Sequence, residues 1–182
     1  MPELIRAFVA VKVPGEIADV LENFLTDLRP LAPIRWLRKQ HFHITLKFLG
    51  ELEQAVIEQV IDALEPMKYF EPFRIELDHI GAFPNLNNPR VLWLGGKNGA
   101  HELGKLSGKI NDVLYDEAGL ERETKKFRAH LTLAKLKDTC LPLPEVLVRR
   151  LGDVPALVWE CSELVLMRSL LTPKGPVYSQ LL

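Results

Sequence analysis

At 182 residues and 20.7 kDa, the chain has the length of one domain, or of two small lobes sharing a core. A net charge of −1, a pI near 6.5 and a mean hydropathy of +0.03 exclude a strongly basic nucleic-acid wrapper, though not a local basic cleft. Cys140 and Cys161 are too few for a disulfide scaffold and lack metal spacing, so both read as free, mostly buried thiols of a reducing compartment.

The start, Met1-Pro2-Glu3, lacks the apolar region and cleavage site of a signal peptide, and no apolar run matches a bilayer span. A soluble, cytoplasmic protein is expected. Residues 4–13 read as a buried strand that Pro14-Gly15 breaks. Ile17, Val20, Leu21, Phe24, Leu25 and Leu28 fall at helical spacing over 16–28. A short strand at 34–37 precedes 41–49, where His41, His43, Thr45 and Lys47 alternate with Phe42, Ile44, Leu46 and Phe48. A second amphipathic helix covers 53–65 and stops at Pro66. The remainder reads as strands at 73–80 and 90–94, a helix over 100–117, a strand at 128–136, a short helix at 144–151, and strands at 157–168 and 176–181.

One tetrapeptide pattern occurs twice: His43-Ile44-Thr45-Leu46 and His130-Leu131-Thr132-Leu133. With 5 His and 6 Thr in the chain, chance supplies roughly 0.2 His-x-Thr matches. A strand, a helix and a His-x-Thr strand follow in that order twice, which points to duplication and to two similar lobes around a cleft. The expected class is α+β, with two facing antiparallel-type sheets related by a pseudo-two-fold, helices outside and the motif strands lining the cleft. The whole of 1–182 then forms one domain of two intertwined lobes.

Alternation puts each His on the same face as the Thr two residues on, with Ile44, Leu46, Leu131 and Leu133 in the core. A His near its unperturbed pKa of about 6.5 gives or takes a proton at neutral pH, and a Thr hydroxyl donates to a phosphoryl oxygen without adding charge. Two copies facing each other would grip a phosphate from both sides. One His would then stand near the attacking oxygen and the other near the leaving oxygen. Such an in-line displacement requires neither metal nor covalent intermediate, and no cofactor is expected. A metal at His41 and His43 is disfavoured because no carboxylate or Cys cluster supplies further ligands.

The chain resembles the two-histidine phosphoesterases, and more closely the RNA 2′,3′-cyclic phosphodiesterases, also called 2′-5′ RNA ligases. The resemblance runs from Arg6-Ala7-Phe8-Val9-Ala10-Val11, through Trp36 and the first motif with Lys47-Phe48-Leu49-Gly50, to Gly81-Ala82-Phe83-Pro84 and Arg90-Val91-Leu92-Trp93. It continues through the second motif with Ala134-Lys135 and the tail residues Ser169, Gly175 and Tyr178. It implies hydrolysis of RNA 2′,3′-cyclic phosphate ends to 2′-phosphates, and reversible 2′-5′ joining. It implies His43 as proton donor, His130 as proton acceptor, and Thr45 and Thr132 on the non-bridging oxygens. The implied partners are tRNA fragments, other short RNA ends or small nucleotides, with no protein partner evident.

Two positions depart from the family pattern. Ala129 stands where Pro is common, and Lys135 where Arg is common, which keeps the charge and loses the bidentate fork. Lys135 reaches the motif face only if a bulge interrupts alternation; Arg128 shares that face with His130. Lys47 and Tyr178 are further substrate-binding candidates, and Trp36, Phe83 and Tyr178 are candidates for base stacking. Phe42 and Phe48 are expected in the core. Two other readings fit the same residues: a non-catalytic RNA-end or nucleotide-binding module, and the same chemistry on ADP-ribose cyclic phosphate or a 2′-5′ oligonucleotide.

Overall fold

The computed structural model describes residues 3–136, 142–173 and 175–182; Cys140 lies outside them. Strand β1 (Leu4–Lys12) is buried along most of its length because it is paired on both edges, by β3 (His43–Glu53) and by β9 (Val165–Thr172). Pro14 ends that run, and α1 (Gly15–Leu28) follows with Ala18, Leu21, Leu25 and Leu28 turned inward. The short β2 (Arg35–Trp36) leads to β3, and α2 (Gln54–Leu64) buries Ile57, Val60 and Leu64.

Then come β4 (Tyr69–Leu77), β5 (His79–Phe83), β6 (Val91–Gly95) and α3 (Ala100–Ala118). Gly119 stops α3 in the left-handed region at φ 65°, where its N–H bonds the Leu114 carbonyl. The remaining elements are β7 (Leu131–Lys135), α4 (Glu145–Leu151), β8 (Leu157–Glu163) and β10 (Gly175–Gln180).

Among the described residues all strand pairs are antiparallel, and the class is α+β. Eight strands form one sheet in the order β10-β9-β1-β3-β7-β6-β5, with β2 also on β7, while β4 and β8 form a separate two-stranded sheet. The expected arrangement of motif strands on two facing sheets is therefore corrected. Strands β3 and β7 are neighbours in one sheet, joined by the single pair Ile44↔Leu131. Beyond that pair, the same edge of β7 is taken by β2, through Arg35↔Lys135 and Trp36↔Ala134.

Two strands expected as single runs are each split. The run at 73–80 breaks at Asp78 between β4 and β5, and the run at 157–168 breaks at Leu164 between β8 and β9. At both breaks the chain leaves the small sheet for the large one. The Gly81-Ala82-Phe83 segment, expected as a turn, belongs to β5. There Gly81 and Gly95 leave room for the Trp93 ring: a Cβ on either would stand 2.3 or 2.7 Å from it.

One face of the large sheet forms the main core. Val9 and Val11, Ile44 and Leu46, Leu92 and Leu94, and Leu131 and Leu133 pack there with the buried faces of the helices. The opposite face carries a smaller cluster of Phe8, Ala10 and Val165, flanked by Met167 and Tyr178. The motif side chains project from this second face.

Candidate active site

Along β3 and into β7, Ile44, Leu46, Leu131 and Leu133 are buried, while His43, Thr45, His130 and Thr132 are half-buried. The four motif side chains thus share one face, as the alternation predicts. His130 immediately precedes β7. The antiparallel pair Ile44↔Leu131 sets Thr45 beside His130 and His43 beside Thr132. Each histidine thereby neighbours the other motif's threonine.

Alternation then breaks at the same place in both copies. Val9↔Lys47 and Ala10↔Thr45 are successive pairs, so Leu46 bulges out of the ladder; Leu92↔Ala134 and Trp93↔Thr132 leave out Leu133 in the same way. Each bulge lies three residues after its histidine and inverts the pleat beyond it. Lys47 and Ala134 turn inward, while Phe48 and Lys135 turn out. The unpaired Leu46 carbonyl accepts a 2.8 Å hydrogen bond from the buried Ser107 Oγ on α3.

Three expectations change as a result. Lys135 has the bulge it needs to reach the motif face. Phe48, expected in the core, is 69% exposed. Lys47, expected beside His43 and Thr45, is only 7% exposed, and its Nζ donates to Asn111 Oδ1 (2.6 Å) and the Glu121 carbonyl (2.8 Å). Burial holds the Lys47 ammonium below its usual pKa. Lys47 therefore ties the loop after α3 to β3. Lys47→Met should lower unfolding stability by about 1–3 kcal/mol in urea and speed amide exchange over 119–127. Unchanged stability with weakened phosphate binding would return Lys47 to the reacting face.

The His43 ring stacks on Phe8, with centroids 4.8 Å apart, and meets the edge of Tyr178 at 5.5 Å. Burial pushes its pKa down to about 4, a backbone hydrogen bond with His41 opposes the shift, and the charges of His41, Lys135 and His130 add to it. His43 is therefore neutral at pH 7. His130 meets Phe83 edge-on at 5.1 Å. Its Nδ1 lies 2.7 Å from the Arg128 carbonyl oxygen, which only accepts, so Nδ1 carries the proton and Nε2 is free.

Tyr178 bridges His41 (5.1 Å) and Phe8 (5.2 Å), and burial raises its pKa. Arg128 stands 6.0 Å over the Phe83 ring. Trp36 is occupied in packing and donates from Nε1 to the Ala32 carbonyl at 3.3 Å. A cavity of about 430 Å³ opens beside Thr45 and His130, and one of about 250 Å³ lies by His43 and Tyr178. Among the described residues, no three His, Cys, Asp or Glu side chains gather as a metal cage. No described helix is long and apolar enough to cross a membrane.

The family model described as LigT like Phosphoesterase matches residues 11–93 and 98–178. The chain belongs to this LigT-like phosphoesterase family. It is 38% identical to the RNA 2′,3′-cyclic phosphodiesterase of Aeropyrum pernix over 82% of this chain and 84% of that one. It is 35% identical to that of Archaeoglobus fulgidus over 97% of each. The crystal structure of TT0787 from Thermus thermophilus superimposes with a TM-score of 0.77 at 30% identity, covering 97% of this chain and 95% of that one.

Sequence reasoning missed two residues of this LigT-like face. Phe8 is the platform under His43, yet it lies in a strand buried on both sides, where alternation singles out no residue. Burial depresses the pKa of His41 and the Arg35 charge adds to it; Arg35 also opposes the rise at Tyr178, and it pairs with Lys135 across β2 and β7. A two-residue strand gives no periodic signal.

Proposed function

We propose that this LigT-like phosphoesterase hydrolyses the 2′,3′-cyclic phosphate at RNA ends to a 2′-phosphate by paired histidine acid–base chemistry, without a metal or cofactor. The observation that supports the reading is the crossed register at Ile44↔Leu131, by which each motif histidine neighbours the other motif's threonine on the adjacent strand. The names of the Aeropyrum and Archaeoglobus relatives support the substrate class. The two motif strands and the strands beside them would form two intertwined lobes of a single domain, with the repeated bulges as the mark of a pseudo-two-fold.

In this reading the Nε2 of His130 takes a proton from water as its oxygen attacks phosphorus. The P–O3′ bond breaks, and His43, protonated once the anionic cyclic phosphate is bound beside it, delivers that proton to the departing 3′ oxygen. Thr45 and Thr132 donate to the non-bridging oxygens, which gain charge in the transition state. Arg128, Lys135 and Tyr178 line the approach. A 5′-hydroxyl in place of water would give a 2′-5′ linkage by the same steps, and the reverse would cleave it. RNA ends and the free, buried Cys161 fit a cytoplasmic setting.

The test is turnover of a short RNA ending in a 2′,3′-cyclic phosphate, in EDTA, with the product isomer identified. The expected product is solely the 2′-phosphate. A 3′-phosphate would reverse the leaving group, inactivation by EDTA would bring in a metal, and binding without turnover would leave a non-catalytic RNA-end module.

A further inference from the structure

The 430 Å³ cavity beside Thr45 and His130 is larger than the reacting group requires, and its walls are of two kinds. Phe48 and Phe127 contribute aromatic rings to the lining, and Lys125, Lys126 and Arg128 contribute cations. Phe48 stands there only because the Leu46 bulge turns it out of the core.

The floor is α3. Gly108 lies mid-helix, where an added Cβ would meet nothing within 4 Å. Glycine weakens a helix interior relative to alanine, and no neighbouring backbone at Gly108 requires the clearance. The loop that carries the cations is held in place. Asn111 Oδ1 accepts from the Glu123 N–H (2.9 Å) as well as from Lys47, and Arg122 stacks on Tyr115 at 3.8 Å while bonding Asp112. The wall's carboxylate, Glu123, is engaged by the Lys125 N–H at 3.0 Å. The cavity is therefore preformed.

We propose that this cavity binds the nucleotide preceding the reacting end of an RNA strand, with its base against Phe48 and its phosphate at Lys125 and Lys126. The inference rests on the phosphodiesterase reading above. A cyclic mononucleotide has one phosphate, which the histidines and threonines engage, so three further cations call for a second. Aromatic faces beside a cationic track are the recurring means of holding single strands. The preferred substrate is thus an oligoribonucleotide.

The test compares adenosine 2′,3′-cyclic phosphate with a trinucleotide ending in the same group, for the wild type, Lys125→Glu/Lys126→Glu and Gly108→Leu. Mononucleotide turnover of each variant corrects for general damage. The wild type should favour the trinucleotide in kcat/KM by at least about ten-fold at low salt, with the advantage shrinking as salt rises. Both variants should bring the ratio close to one. A wild-type ratio near one, or a ratio that both variants preserve, overturns the inference and leaves the phosphodiesterase reading intact. If the wild type hydrolyses neither substrate, that reading fails. Anisotropy with a 5′-labelled trinucleotide bearing a 2′-phosphate then decides the cavity: weaker binding in both variants upholds it, and equal binding overturns it.

Discussion

His43→Ala and His130→Ala should each lower kcat on a cyclic-phosphate RNA by roughly 10²–10⁴-fold, the range of a positioned general acid or base. The double variant should lose little more than the worse single one, because a donor and an acceptor that serve one displacement act as a unit. The crossed register underlies this expectation: each histidine lies beside the other motif's threonine, so neither half holds the phosphate alone. Thr45→Val and Thr132→Val should cost less, about ten-fold each, since each removes one neutral donor from a developing anion. Circular dichroism and melting should show folded variants, because His43 and His130 are only half-buried. Near-normal turnover in either histidine variant, with the fold intact, sinks the acid–base assignment.

The motif face was legible in the sequence because alternation over His43–Leu46 and His130–Leu133 holds in the structure. What lay beyond the fourth motif residue was not, since a bulge leaves no trace in hydrophobic pattern. Lys47 and Phe48 have reversed places relative to a regular strand, so the buried lysine looked like a ligand for phosphate and the exposed phenylalanine looked like core. The doubled pattern held the clue: Ala134 is the counterpart of Lys47, and an alanine at that place belongs inside. The helices were read closely because their apolar stripes and Pro or Gly stops are local signals, as in α1 after Pro14 and α3 before Gly119. The split of the two long strands at Asp78 and Leu164 was hidden for the opposite reason. The apolar pattern runs on across both breaks while the pairing partner changes, and pairing is a tertiary property.

The depressed pKa of His43 makes both stability and rate depend on pH in a defined window. In the unfolded chain His43 titrates near 6.5, and in the native protein near 4. Between those values the unfolded chain binds a proton that the native protein refuses. Stability should therefore be fully present above pH 6.5, fall as the pH drops toward 4, and level off below. The loss is on the order of 3 kcal/mol from this residue. Urea unfolding of wild type and His43→Gln from pH 8 to 4 measures it as the difference between the two curves; parallel curves would mean that His43 is not held neutral. The same burial controls the rate. In the proposed mechanism His43 must be protonated to donate, so the limb of kcat/KM that it sets should lie nearer 4 than 6.5, and that of kcat should lie higher, because bound cyclic phosphate brings a negative charge beside it. Phe8 and Tyr178 keep water from the ring. Phe8→Ala should accordingly raise the His43 imidazole midpoint toward 6.5 in an NMR titration and carry the His43 limb of kcat/KM with it, whereas Tyr178→Phe, which keeps the ring edge in place, should move neither. If Phe8→Ala slows the reaction at every pH without shifting the limb, the stacking serves only to orient His43, and the low pKa must come from the charges of His41, Lys135 and His130 around it.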